Sequence, residues 1–301
     1  MSKLVHYTHC PVCGSADIRK ALIAKDHTVS GEEFTVMECM GCSLRFTQGV
    51  PDAESISPYY KSEEYISHTN TSKGLVNRLY QSVRKRTLKQ KRKLVEKETG
   101  VAAGTILDLG AGTGAFANEM KQAGWSVTAL EPDSDAKAVA KKDFGIDLED
   151  ASMLYFLNDE NYDAITLWHV LEHVHDLHGY IAKLRTLLKE KGKLIVAVPN
   201  YTSKDAAAYE ENWAAYDVPR HLYHFSPRSM QVLMEKHGLT ISAHKPMWYD
   251  SFYVSILSSK YKKGKASLPG AFFTGLGSNM KAMGDAKRCS SIIYIIEKAA
   301  S

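Results

Sequence analysis

The chain has 301 residues, enough to bury a sizeable core and more than one modest domain needs. With 44% hydrophobic and 24% charged residues it has the mix of a globular protein, and a net charge of +4 neither demands nor excludes nucleic acid as a partner. No basic start is followed by an apolar run, and no stretch approaches the roughly 20 apolar residues that cross a bilayer, so a cytoplasmic location with reduced thiols is expected.

Residues 1–50 hold four of the five cysteines, as the pairs Cys10-Pro11-Val12-Cys13 and Cys39-Met40-Gly41-Cys42. Two such C-x-x-C knuckles present four thiolates tetrahedrally to Zn²⁺, with Gly14 and Gly41 suited to the tight turns. Four cysteine ligands leave no open position for water or substrate, so a structural zinc ribbon is expected over 1–50. Cys289 reads as a lone core or surface thiol. Residues 51–99 read as a linker followed by a helical lid. Pro51, Ser55, Ser57 and Pro58 break the chain. A helix over 75–98 then places Val76, Leu79, Val83 and Leu94 on one face, with Lys and Arg crowded between 84 and 93.

From residue 100 to 301, short apolar runs alternate with amphipathic helices. Strands are predicted at 105–109, 126–130, 162–168 and 192–198. Helices are predicted at 114–123, from the N-cap Asp133 to 142, and at 176–189. The alternation predicts an α/β, doubly wound Rossmann-like sheet. Residues 200–226 break the rhythm and read as an insertion rich in Tyr, Trp, His and Asp. Ser226-Pro227 then opens a helix to 237. Strands at 239–243 and 292–296 close the pattern, and residues 246–290 give no clear signal.

The sharpest motif is Asp108-Leu109-Gly110-Ala111-Gly112-Thr113-Gly114, where a strand ends and a helix begins. Glycines there allow a tight turn and close approach of a ligand, and the helix start offers free N–H groups. The run also fits a dinucleotide pattern through Gly110, Gly112 and Ala115. Asp108 argues against that reading, because a carboxylate would repel a pyrophosphate yet accept an ammonium. Glu131, at the end of the next strand, is placed for ribose hydroxyls in either reading.

This glycine run resembles class I S-adenosylmethionine-dependent methyltransferases. So do Leu130-Glu131-Pro132, His169-Val170-Leu171-Glu172-His173-Val174 and Val198-Pro199-Asn200, in that order, over about residues 60–245. The resemblance implies a seven-stranded sheet with the last strand antiparallel. It implies S-adenosylmethionine held by Asp108, Gly110, Gly112, Gly114 and Glu131, with Asp150 or Ala151 near the adenine and Trp168 and His169 on the cofactor side. It gives the Leu-Glu-His-Val stretch a structural role in place of metal ligation by His169 and His173.

Tyr216-Asp217-Val218-Pro219-Arg220-His221-Leu222-Tyr223-His224-Phe225-Ser226 is similar in part to zinc-containing sugar C-methyltransferases. Their second catalytic histidine matches His221, but Arg220 and Pro219 stand where they carry Glu and His. That departure points away from C-methylation. The expected reaction is O-methylation of a small acceptor, a sugar, lipid-linked or phenolic metabolite. His221 is the expected general base and His224 the second candidate, with Arg220 or Tyr223 orienting the acceptor. Tyr65, His68, Trp213 and Tyr223 are candidate pocket walls. Two rival readings stay open: an RNA methyltransferase using the ribbon and the basic helix, and a non-catalytic cofactor binder. The oligomeric state is left open.

Overall fold

The computed structural model describes residues 3–60, 75–265 and 268–299; Tyr65 and His68 lie outside them. The N-terminal segment contributes β1 (Leu4–Val5), β2 (Ile18–Lys25), β3 (Glu33–Cys39), β4 (Arg45–Thr47) and β5 (Val50–Pro51). A long helix follows, α1 (Leu75–Thr99). The alternating part begins with β6 (Thr105–Leu109), α2 (Ala115–Gln122), β7 (Ser126–Leu130), α3 (Ser134–Phe144), β8 (Tyr162–Trp168), α4 (Leu177–Leu187) and β9 (Leu188–Pro199). Then come α5 (Lys204–Tyr209), β10 (Tyr223–His224), α6 (Pro227–Lys236), β11 (Leu239–Pro246), α7 (Asp250–Lys263), α8 (Leu268–Gly284) and β12 (Ser291–Lys298).

Local chemistry sets many of these boundaries. The Asp133 carboxylate accepts the Ala136 N–H at 2.8 Å and so starts α3. Gly145 ends it in the left-handed region at φ 66°. Ser226 and Ser229 cap each other's backbone at the start of α6, with Pro227 at its first position.

The alternating elements build a six-stranded mixed α/β sheet in the order β11-β12-β9-β8-β6-β7. β6 runs parallel to both neighbours, with Asp108 beside Ala129 on β7 and Thr166 on β8. Seven strands are expected from the sequence, and six are found among the described residues. The missing third strand is reduced to one parallel bridge, Leu130 with Glu149. Only four residues separate the Gly145 cap of α3 from Asp150, which caps the next 3-10 turn, so no longer strand fits there.

The chain divides into two compact units. One comprises Met1–Ser67, Leu171–His178 and Ala197–Tyr294. Its four-stranded sheet has the order β10-β4-β3-β2, and β10 pairs antiparallel with β4 through Tyr223–Phe46 and His224–Arg45. The insertion therefore completes the sheet of the cysteine-bearing segment. A core of Phe34, Val36, Tyr201, Tyr209, Trp213, Tyr216 and Val218 lies behind it. The other unit comprises His68–Val170, Gly179–Val196 and Ile295–Ser301 and carries the glycine loop.

Candidate functional site

In the unit that carries the glycine loop, the chain leaves β6 through three glycines with positive φ: Gly110 at 62°, Gly112 at 54° and Gly114 at 72°. A Cβ on Gly110 would come within 2.5 Å of Val170 Cγ2, whereas Gly112 has nothing within 4 Å of that position. The loop is thus tight at one glycine and open at the next, which is where a ligand could lie against bare backbone.

Glu131 ends β7 with its carboxylate fixed. Oε2 accepts the Gly112 N–H at 2.7 Å and Oε1 accepts the Asp133 N–H at 2.9 Å. Burial raises its pKa, with these two N–H groups opposing the rise. Asp108 is only 2% exposed, and its Oδ1 accepts the Thr166 hydroxyl at 2.7 Å. Burial pushes its carboxyl up to about 7, partly offset by Thr166 and the Lys91 charge.

Three of the seven basic residues between 84 and 93 are engaged in this unit, while Lys85, Arg86, Lys89 and Lys93 are exposed. Arg84 donates to Thr113 Oγ1 at 3.0 Å, Lys91 Nζ lies 4.2 Å over the Trp168 ring, and Arg92 bridges Glu96 and Glu119. Trp168 also packs edge-on against Phe116, and its buried Nε1–H has no acceptor among the described residues. His169 follows at φ 60°, a left-handed conformation uncommon outside glycine. Asp150 caps the 3-10 turn that begins at Ala151, accepting the Ser152 N–H at 3.0 Å. An open glycine, a fixed carboxylate and an orphaned indole N–H suit a ligand with hydroxyl and amino groups, as S-adenosylmethionine has.

In the other unit the four cysteines converge. Cys10 Sγ lies 3.5 Å from Cys42 Sγ, Cys13 Sγ lies 3.5 Å from Cys39 Sγ, and all four sulfurs fall within 4.8 Å of one another. Tetrahedral zinc with bonds of about 2.3 Å sets sulfurs about 3.8 Å apart, so the donor set fits the ion. Each knuckle closes with an N–H to its first cysteine's carbonyl, from Gly14 and from Ser43. The second knuckle departs from expectation, because Ser43 takes the positive φ of 57° where Gly41 was expected to turn. Gly41 is needed for its size instead, since a Cβ there would press on Ser15 Cβ at 3.3 Å. The Cys42 thiol facing Cys10 lowers the Cys10 pKa.

The same unit gathers the histidines. His221 Nδ1 lies 2.9 Å from the Ala215 carbonyl, which only accepts, so Nδ1 is the donor and the neutral ring carries its lone pair on Nε2. That Nε2 is 3.9 Å from Asp217 Oδ2. His173 Nδ1 meets the Arg220 carbonyl at 2.9 Å, and its ring stands edge-on to His221 at 4.7 Å. Burial, then the neighbouring His221, lowers the His173 pKa to about 4. One ligand atom from each of Glu172, His173 and His221 lies within 4.8 Å of the others, so this trio could also hold a cation. The sequence places Glu172 and His173 together; their approach to His221 has no sequence signal.

Three neighbours of His221 are fully engaged. Arg220 is 1% exposed and donates to both Asp217 oxygens, to Asp26 Oδ1, to Thr28 Oγ1 and to the Tyr59 carbonyl. Thr47 donates its hydroxyl proton to the His221 carbonyl, so His224 Nε2, 3.0 Å from that hydroxyl, must be the donor. Burial holds His224 well below its usual pKa. The Tyr223 hydroxyl lies 3.4 Å from the Tyr7 hydroxyl and donates to the His175 carbonyl at 3.3 Å. Trp213 is buried, with Nε1 donating to Asp205 Oδ2 at 2.9 Å.

The family profile described as a methyltransferase domain matches residues 77–244, more than half of the chain. The chain belongs to the methyltransferase-domain family. A ubiquinone biosynthesis O-methyltransferase of Glaesserella parasuis is 32% identical over 120 residues, covering 36% of this chain and 51% of that protein. One of the same description from Rickettsia bellii is 25% identical over 160 residues, covering 48% and 65%. The chain thus spans about half to two thirds of the length of these two relatives. Among solved structures, the 1,6-didemethyltoxoflavin-N1-methyltransferase of Burkholderia thailandensis covers 92% of this methyltransferase-family chain and is covered in full, at 13% identity and a TM-score of 0.49.

Proposed function

We propose that this chain transfers the methyl group of S-adenosylmethionine to an oxygen of a small acceptor. The observation that carries the reading is the glycine loop with Glu131 locked to the Gly112 and Asp133 N–H groups. Fixed in that way, the carboxylate keeps acceptor capacity for the two ribose hydroxyls without rearranging. Asp108 and the loop from Gly110 to Gly114 serve the amino-acid end, Asp150 and Ala151 the adenine, and Trp168 and His169 the cofactor side. A bound sulfonium supplies an electrophilic methyl carbon; the protein's part is to align the acceptor in line with it and to manage a proton.

His221 Nε2 takes the acceptor's hydroxyl proton, because the Ala215 carbonyl holds the other ring nitrogen in its protonated form. Arg220 is assigned a positioning role: it orders the loop that presents His221, and its own donors are already used. Tyr223 and His224 support the same loop through Tyr7 and Thr47. Structural Zn²⁺ on Cys10, Cys13, Cys39 and Cys42 stiffens the knuckles. The described relatives act in ubiquinone biosynthesis, which favours a phenolic acceptor among the sugar, lipid-linked and phenolic choices.

The test is transfer of radiolabelled methyl to a panel of catechols, polyprenyl phenols, sugars and a transfer-RNA mixture. Label on a phenolic oxygen, lost with His221→Asn, is the expected result. Label on RNA alone, or no transfer to any acceptor despite cofactor binding, overturns it.

A further inference from the structure

The hairpin of α7 and α8 is built inside out. The residues α7 buries are serines, namely Ser251, Ser255, Ser258 and Ser259. Among the described side chains of α8 the buried positions are Gly275, Ser278 and Ala282. A Cβ on Gly275 would meet Phe252 Cδ1 at 3.0 Å, so the two helices approach as closely as small residues allow. On α8 the large apolar side chains point the other way, while Val254 of α7 packs against the core. Phe273 is 69% exposed, Met280 64% and Met283 78%, with Phe272 and Leu276 also exposed. Positions 272, 276, 280 and 283 follow helical spacing and share one face of α8. On α7, Tyr253 is 59% exposed, and a stacked Phe252–Phe272 pair at 5.6 Å ties the helices together on that side.

Contiguous exposed apolar surface of this kind marks an interaction site. Charge selects the occupant. Residues 246–290 contain seven Lys and Arg against two acidic side chains, a surplus of five, while the whole chain has a surplus of four. Four of the lysines, Lys260, Lys262, Lys263 and Lys265, cluster at the end of α7 and just beyond it, of which Lys262 donates to the Ala208 carbonyl and lies 3.8 Å from Glu210. Two copies of so basic a hairpin would repel each other across a shared face, whereas an anionic surface would attract it. Exposed aromatic and methionine side chains beside lysines are the pattern of a helix lying in a lipid headgroup region. No helix among the described residues is long and apolar enough to cross a membrane, so the hairpin lies on the surface and does not span.

We propose that the α7–α8 hairpin docks this protein on an anionic lipid bilayer. Phe272, Phe273, Leu276, Met280 and Met283 enter the boundary between headgroups and acyl chains, and Lys263 and Lys265 face the lipid phosphates. The inference does not depend on which acceptor is methylated.

The test is co-sedimentation of the full chain with mixed phosphatidylcholine–phosphatidylglycerol vesicles and with pure phosphatidylcholine vesicles, at low and high salt. Partition into the anionic vesicles that falls with salt is expected. Lys263→Ala with Lys265→Ala should weaken it roughly 30-fold, at the usual worth of one lysine near an anionic surface. Phe273→Ser with Met283→Ser should weaken it at least about tenfold while the melting temperature holds, because both side chains are exposed in the free protein. No partition into anionic vesicles, or partition untouched by these substitutions, overturns the proposal. A concentration-dependent dimer abolished by Phe273→Ser, without vesicle binding, gives the face to a second copy of the chain.

Discussion

Arg220 and Asp26 are 194 residues apart in sequence, yet the guanidinium Nη2 lies 3.1 Å from the Asp26 carboxylate and both side chains are buried. The pair ties the loop that carries His221 to the β2–β3 turn, where Asp26 also accepts the Thr28, Val29 and Ser30 N–H groups. Breaking a buried, hydrogen-bonded charge pair from one side leaves the other charge stranded, at a cost of about 3–5 kcal/mol. Arg220→Ala should therefore lower stability by about that much in chemical denaturation, and Arg220→Lys should recover only part of it, since an ammonium cannot reproduce the fork. A loss within about 1 kcal/mol would contradict the clamp.

The same pair sets an acid limit. Burial opposes the Asp26 charge, but the Ser30 and Thr28 N–H groups and Arg220 outweigh it and hold the carboxyl well below the usual carboxylate range. A depressed folded pKa contributes stability that is present above the unfolded value of about 4 and is lost as pH falls below it. Wild-type protein should lose stability steeply below pH about 4, and Asp26→Asn should show a shallower loss from a lower starting value. Parallel pH profiles for the two proteins would contradict this.

The cysteine site predicts one zinc per chain, released by mercurial titration. Cys39→Ser should lower the zinc content and the melting temperature together, because site formation and folding of the knuckles are one event. Retention of full stability after chelation would show that the sulfurs hold no structural ion.

Cofactor affinity should depend on Asp108. Its carboxyl, raised to about 7 by burial, carries a proton below that pH and a charge above it. An ammonium binds better beside the charge, so affinity for S-adenosylhomocysteine should rise as pH increases through about 7 and level off above it. Asp108→Asn should bind weakly with no such rise. A flat wild-type profile would remove Asp108 from the binding account.

His221→Asn should cut kcat about 10²–10⁴-fold with cofactor affinity unchanged, as expected for loss of a general base. His224→Gln tests its neighbour differently. His224 donates to Thr47 and is buried, so that change should act mainly through stability. Equal losses of kcat from the two variants at equal stability would contradict the assignment of the base.

Much of the sheet was legible because its signals are local. Strands at 105–109, 126–130 and 162–168 stand where predicted, since each is a short apolar run, the first two ending beside Gly110 and Pro132. The third strand failed because its span between Gly145 and Asp150 is too short to carry a pattern. Residues 246–290 were illegible for a different reason. α7 and α8 bury serine and glycine and expose phenylalanine and methionine, so apolar periodicity points away from the packed side. The convergence of the four cysteines followed from motif spacing, whereas the Gly112 N–H to Glu131 hydrogen bond had no sequence signal. Glu172 and His173 meet His221 through the Leu222 N–H to the Glu172 carbonyl and the contact of His173 with the Arg220 carbonyl, and Arg220 meets Asp26 across the chain; such distant contacts leave no local trace.

The most direct measurement is calorimetric titration of S-adenosylmethionine, S-adenosylhomocysteine and NAD into the protein, beside Asp108→Ala shown to be folded by its melt. Micromolar binding of both adenosyl ligands, lost in the variant and absent for NAD, is the predicted result. Binding of NAD, or adenosyl binding that the variant leaves unchanged, would contradict the methyl-donor reading of the glycine loop.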